Sequence, residues 1–109
     1  MAVKPPPSEL LETLVLKKAA LVVRALNHPL RLQILYLLHK NAPVSVTTLY
    51  RQLRLTQSVA SQQLAILRQA NVVLPIRQGK QVFYEVNYQR IKEVQHLAFQ
   101  LLEQIPVNA

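Results

Sequence analysis

The stretch Leu55-Thr-Gln-Ser-Val-Ala-Ser-Gln-Gln-Leu-Ala-Ile-Leu-Arg-Gln69 decides how this chain is read. Thr56 can cap a helix, because its hydroxyl accepts a backbone N–H that would otherwise lack a partner, so a helix is expected from Gln57. At about 100° per residue, Ala60, Leu64 and Leu67 fall on one side of it. Ser58, Ser61, Gln62, Ala65 and Gln69 fall on the other, with Arg68 at its edge. The first side is core. The second is small and uncharged, where an exposed face normally carries Glu and Lys. Short hydroxyl and amide groups approach base edges closely: glutamine pairs bidentately with adenine, and serine donates or accepts. The pattern fits a recognition helix. It also fits a polar, solvated face on an ordinary core helix, and the flanking residues separate the two.

Upstream, Ser45 or Val46 to Leu53 reads as a short helix with Val46, Leu49 and Leu53 inward and Thr47, Thr48, Tyr50, Arg51 and Arg54 outward. Only Arg54 and Leu55 separate it from Thr56, and two helices joined so tightly make a helix-turn-helix. Downstream, Val72 to Arg77 and Gln81 to Val86 are β-prone runs around Gln78-Gly79-Lys80. Val82, Tyr84 and Val86 alternate with Phe83 and Glu85, as a half-buried strand requires. The single glycine sits where a tight turn needs it. The hairpin places Arg77 and Lys80 at its tip, suited to a phosphate or the minor groove, in the manner of a wing.

Charge points the same way. The formal net charge is +8, and its placement says more than its size. From Thr13 to Tyr84 there is no acidic residue, while Lys17, Lys18, Arg24, Arg31, Lys40, Arg51, Arg54, Arg68, Arg77 and Lys80 all occur there. Glu9, Glu12, Glu85, Glu93 and Glu103 lie outside it. A basic middle with acidic ends is a footprint for a polyanion, and nucleic acid is the expected partner. A membrane surface is the weaker alternative, since no basic amphipathic helix accompanies the charge.

The outer segments supply the frame. At 109 residues, with 50% hydrophobic residues, 17% charged residues and one glycine, the chain reads as one mostly helical domain with apolar surface left over. Residues 1–7 form an extended, proline-rich lead, 8–105 the domain and 106–109 a tail. Ser8 is expected to cap a first helix running to about Leu26, whose apolar residues cover most of its circumference. A domain this small rarely buries a helix on all sides, so a second chain is the natural cover, in preference to burial within the monomer. Asn27-His28-Pro29 breaks that helix, with His28 capping a turn, and starts a second with Leu30, Ile34, Leu37 and Leu38 inward, ending at Asn41-Ala-Pro43. Asn87 can cap the last helix, where Ile91, Val94, Leu97, Ala98, Leu101, Leu102 and Ile105 form an apolar stripe closed by Pro106.

This order of elements meets specific residues in three places. Ala25-Leu-Asn-His-Pro-Leu-Arg-Leu-Gln-Ile-Leu35, Leu55 to Leu64, and Arg77-Gln-Gly79 through Val82-Phe-Tyr84 resemble the ArsR/SmtB winged-helix repressors, over Leu11 to Gln104. The resemblance implies a mostly α winged helix-turn-helix with a small β-hairpin, dimerising through its first and last helices and binding a palindromic double-stranded operator. It implies base readout by Gln57, Ser58, Ser61 and Gln62. Phosphate contacts are expected from Arg51, Arg54, Arg77 and Lys80, with Thr47, Thr56 and Arg68 completing the DNA-binding set. The expected homodimer interface comprises Leu11, Leu14, Val15, Val22, Val94, Leu97, Leu101 and Leu102. Recognition helices about 34 Å apart would place half-sites one helical turn apart.

The chain departs from that family where effectors bind. It has no cysteine, which removes thiol sensing and disulfides and fits a reducing compartment. The positions that hold ligands in the last-helix zinc sensors carry Tyr88, Arg90, Leu101 and Gln104, so neither metal site is expected and no cofactor is implied. Glu93 and His96, one turn apart, are read as a solvated pair, since two ligands per chain do not hold zinc without help from dimer geometry. An effector stays open, whether a small molecule in the dimer interface, a partner protein or none. His28 and His39 share a helix face about 16 Å apart, too far to share an ion, and His39 is assigned to the surface. No nucleophile, base and acid recur at a catalytic spacing, and the chain is read as a non-enzyme. No run of 18 apolar residues and no signal-peptide pattern is present, so a soluble, cytoplasmic protein is expected. The rival from another class is a winged-helix module that docks a protein.

Overall fold

The computed structural model describes residues 7–103, with side-chain environments from Leu14 to Gln100 apart from Leu16. The elements are α1 (Pro7–Leu26), α2 (Pro29–Asn41), β1 (Val44–Ser45), α3 (Val46–Gln52), α4 (Gln57–Gln69), β2 (Val73–Gln78), β3 (Gln81–Val86) and α5 (Tyr88–Glu103). The cap expected at Ser8 is corrected: α1 already includes Pro7, a residue tolerated in a first turn because its missing N–H would have no partner there. His28 caps α2, its Nδ1 accepting the Leu30 N–H at 3.2 Å. Pro29 follows at the first helical position.

The core gathers one face of each central helix. Ile34 and Leu38 of α2, Leu49 of α3, and Ala60, Leu64 and Leu67 of α4 are buried against Val72, Val73 and Val86. Val22 of α1 joins them, while Ile91 and Val94 of α5 lie half-buried at the margin. Tyr50, expected to face outward, is corrected too: it stands about 100° from Leu49 on α3, and its ring packs on the core from the helix flank.

The sheet has one strand more than the sequence reveals. β1 pairs with β3 through Val44↔Tyr84 and Ser45↔Phe83, giving the order β1-β3-β2. Two residues are too few to show alternation. Ser45 is also the N-cap of α3, whose extended backbone (φ −74°, ψ 157°) serves cap and strand together. With β3 central, its expected inside-outside alternation disappears: Val82 through Glu85 are all half-buried, because Ile76 and Leu74 of β2 stand opposite Phe83 and Glu85. Pro75 is admissible in β2 because that strand lies at the sheet edge. The β2–β3 ladder closes at Gln78↔Gln81 over Gly79-Lys80. There Gly79 takes φ +63°, the left-handed conformation a two-residue hairpin turn asks of its first central residue.

α5 starts where Asn87 Oδ1 accepts the Arg90 N–H at 3.4 Å, as the sequence predicts. Asn87 Nδ2 also donates to the Asn71 carbonyl at 2.9 Å, tying the start of α5 to the end of α4. His39 is exposed, and its Nδ1 lies 2.7 Å from the Tyr88 hydroxyl, joining the ends of α2 and α5. Pro106, expected to close α5, lies outside the described residues. No helix among the described residues is long and apolar enough to cross a membrane.

Candidate nucleic-acid interface

Thr56 sets the orientation of α4. Its Oγ1 accepts the Val59 N–H at 3.2 Å, which satisfies one of the donors left over at a helix start. No acidic residue stands in the first turn, so the positive end of the helix is left uncompensated by side chains. With Ala60, Leu64 and Leu67 fixed in the core, Ser58, Ser61, Gln62, Ala65 and Gln69 are exposed, as the sequence predicts.

α3 enters α4 through a turn whose hydrogen bonds close α3. The Leu55 N–H bonds the Tyr50 carbonyl at 2.8 Å and the Arg54 N–H bonds the Arg51 carbonyl at 3.3 Å. This is the Schellman pattern, with Arg54 at the left-handed position (φ 54°) usually taken by glycine. α4 ends the same way: Val72 N–H meets the Leu67 carbonyl, Asn71 N–H meets the Arg68 carbonyl, and Asn71 has φ 61°. Asparagine tolerates that conformation; arginine does so at a cost. Arg54 holds that conformation with its side chain exposed beside the start of α4.

Arg54→Gly should therefore move stability and binding in opposite directions. The left-handed strain on an L-residue is about 1–2 kcal/mol, and the added unfolded-chain entropy of glycine offsets about 0.5–1 kcal/mol of the relief. A small net gain, read as a rise of a few degrees in Tm, should accompany weaker DNA binding. Unchanged DNA affinity would remove Arg54 from the interface.

All the residues expected to contact DNA (Thr47, Arg51, Arg54, Thr56, Gln57, Ser58, Ser61, Gln62, Arg68, Arg77 and Lys80) are exposed. Ser61, Leu64, Ala65, Arg68 and Gln69 line a cleft of about 410 Å³ whose other walls are Val46 and Tyr84. Recognition-helix side chains and the sheet thus share one concavity. Arg77 and Lys80 stand at the opposite end of the hairpin from Val73 and Val86, a ladder about 17 Å long at 3.3 Å per residue with Arg77 about 13 Å along it. Among the described residues the ion pair is Arg90–Glu93 at 3.1 Å, so none of the basic side chains of α3, α4 or the wing is neutralised by a carboxylate.

The proposed interface on α1 and α5 is described in part. Leu14 and Val15 are 46% and 54% exposed, Val22 is buried, and Val94 and Leu97 are half-buried. The side chains of Leu11, Leu101 and Leu102 lie outside the described residues. Glu93 is engaged by Arg90, and His96 Nε2 lies 3.2 Å from Gln100 Nε2. Among the described residues no three His, Asp or Glu side chains come together as metal ligands would. The sequence reading counts Arg31 only among the basic residues and passes over Gln63, yet a hydrogen bond between them at 3.0 Å joins α2 to α4 across 32 positions. Gln63 falls between the core side and the outward side of α4, so periodicity gives it no signal.

A helix-turn-helix backed by a three-stranded sheet with a basic hairpin tip defines a winged helix-turn-helix protein. Residues 28–74 match the model for bacterial regulatory proteins of the arsR family. The transcriptional repressor PagR of Bacillus anthracis is 31% identical over 77% of this chain and 84% of its own length. Its crystal structure superposes with a TM-score of 0.65, covering 78% of this chain and 98% of that one. The transcriptional activator HlyU of Vibrio cholerae is 36% identical over 77% of each chain, and a structure of it superposes at a TM-score of 0.64 over 81% of this chain and 95% of that one. A homodimeric winged helix-turn-helix DNA-binding domain from Mycobacterium bovis, 22% identical, shares the fold with a TM-score of 0.72 over 97% of this chain and 94% of that one. The chain belongs to the arsR family. It is a DNA-binding transcriptional regulator.

Proposed function

We propose that the protein is a homodimeric repressor that works in the cytoplasm and occupies an inverted-repeat operator, one α4 per half-site, so that the bound dimer occludes a promoter. The outward face of α4 carries this reading, because a row of exposed, uncharged hydroxyl and amide groups beside unpaired arginines suits base readout. Gln57, Ser58, Ser61 and Gln62 read bases. Arg51, Arg54, Arg77 and Lys80 hold phosphates, and Thr47, Thr56 and Arg68 line the approach. Pairing through α1 and α5 is supported by apolar side chains left uncovered there, Leu21 and Val23 among them, at 62% and 49% exposure. The relation to PagR, itself a repressor, supports repression.

The test is selection of binding sites from a random duplex pool at near-physiological salt, with sizing by light scattering. Enrichment of an inverted repeat bound by two chains is the expected result. Enrichment of a single half-site would contradict the dimer, and no enrichment would favour a protein-docking winged helix. Alanine at both Arg77 and Lys80 gives a second check. Each lost phosphate contact should lower the slope of log affinity against log salt by about 0.9, with the preference among sequences largely kept. An unchanged slope would remove the wing tip from the interface.

A further inference from the structure

Arg31 stands where α2 by itself disfavours it. It is the third residue of that helix, in a first turn without an acidic residue, where a cation opposes the positive end of the helix dipole. Its guanidinium turns instead to the end of α1. Nε donates to the Ala25 carbonyl and Nη2 to the Arg24 carbonyl at 3.5 Å. Since Asn27 N–H takes the Val23 carbonyl and His28 N–H the Leu26 carbonyl, every carbonyl left over at the end of α1 has a donor.

The remaining arm, Nη1, donates to Gln63 Oε1 on α4 at 3.0 Å. Among the described residues this is the only side-chain hydrogen bond from α4 to another helix. Apolar packing between α1 and α4 is incomplete here. A cleft of about 260 Å³ lies beside the guanidinium, and its walls include Leu21 and Ile66, 62% and 37% exposed. A planar fork of donors can serve carbonyls and an amide at once; a lysine ammonium lacks that geometry.

We propose that Arg31 is a positioning residue for DNA recognition. Through Gln63 it holds α4 at a fixed angle to the C-terminal end of α1, so the helix that pairs two chains also sets the pose of the helix that reads DNA. The proposal rests on the dimeric DNA-binding reading above.

The experiment compares wild type with Q63L, R31K and Q63E. Amide residual dipolar couplings of the free protein report the orientation of α4 relative to α1. Binding is then measured on the duplex recovered by site selection and on a scrambled duplex of the same length. Q63L and R31K should both reorient α4. Losing a hydrogen bond to a charged group should weaken binding to the recovered duplex about tenfold, with binding to the scrambled duplex and its salt slope unchanged. Q63E keeps an acceptor for the guanidinium and should keep wild-type couplings and discrimination. Unaltered couplings in Q63L, or equal losses on both duplexes, would overturn the proposal. If wild type itself does not prefer the recovered duplex, the DNA reading falls and takes the proposal with it. If wild type discriminates and Q63L does so equally, the proposal alone falls.

Discussion

Ser61→Glu should abolish binding to duplex DNA while leaving the fold intact. Ser61 is exposed near the middle of the outward face of α4, beside Ala65 and Arg68 in the cleft against the sheet. A carboxylate there meets the phosphates as a like charge. Such juxtaposition costs several kcal/mol across an interface, so affinity should fall on the order of 10²-fold or more. The folded chain has no reason to object. Glutamate forms helices at least as well as serine, and the position is exposed. Thermal unfolding should therefore be unchanged or slightly raised, and circular dichroism should show native helix content. Gln62→Ala makes the companion measurement. It removes readout without adding charge and should cost about 1–3 kcal/mol of discrimination at a base position, while binding to unrelated duplex persists. A Ser61→Glu protein that binds duplex within twofold of wild type would mean that another face meets DNA.

The helix that carries this prediction is legible in the sequence because every signal for it is local. Thr56 caps within three residues, and the apolar positions repeat within one turn. The hairpin is legible for the same reason, since the single glycine coincides with the closing turn. Three features are hidden, each for a different physical cause. β1 is too short for a pattern, and the sequence assigns its Ser45 to the start of a helix. The left-handed ends of α3 and α4 fall on Arg54 and Asn71, where the expected glycine signal is missing, and at Arg54 the conformation runs against residue preference. The Arg31–Gln63 bond depends on how α2 crosses α4, which no short window of sequence contains. The exposure of the proposed DNA-contacting set is legible as a face; the convergence of Ser61 and Arg68 with Tyr84 needs the fold.

Ala98→Arg should separate the two chains of the proposed dimer without unfolding either. Ala98 belongs to the apolar stripe of α5 yet is exposed in a single chain, lining a groove with Val23, Leu97 and Arg24. Its substitution disturbs nothing already packed. If α1 and α5 of a second copy cover this groove, the new guanidinium is buried without a partner, at a cost of several kcal/mol. Arginine is the informative choice because Arg24 stands in the same groove, where a glutamate would find an opposite charge. Light scattering should then report a chain of 12.4 kDa in place of twice that mass. Operator affinity should fall with it, because a monomer engages one half-site and forfeits the gain of roughly 10²–10⁴-fold that linked binding provides. Binding to short non-specific duplex should change far less, since the proposed DNA-facing surface of α3, α4 and the wing is untouched. A variant that remains dimeric would exclude this groove as the interface. A further uncovered apolar patch would then be the candidate, Leu32 and Tyr36 on α2, 51% and 63% exposed. Dimerisation there would set the two recognition helices at a different separation and change the spacing of the half-sites recovered by selection.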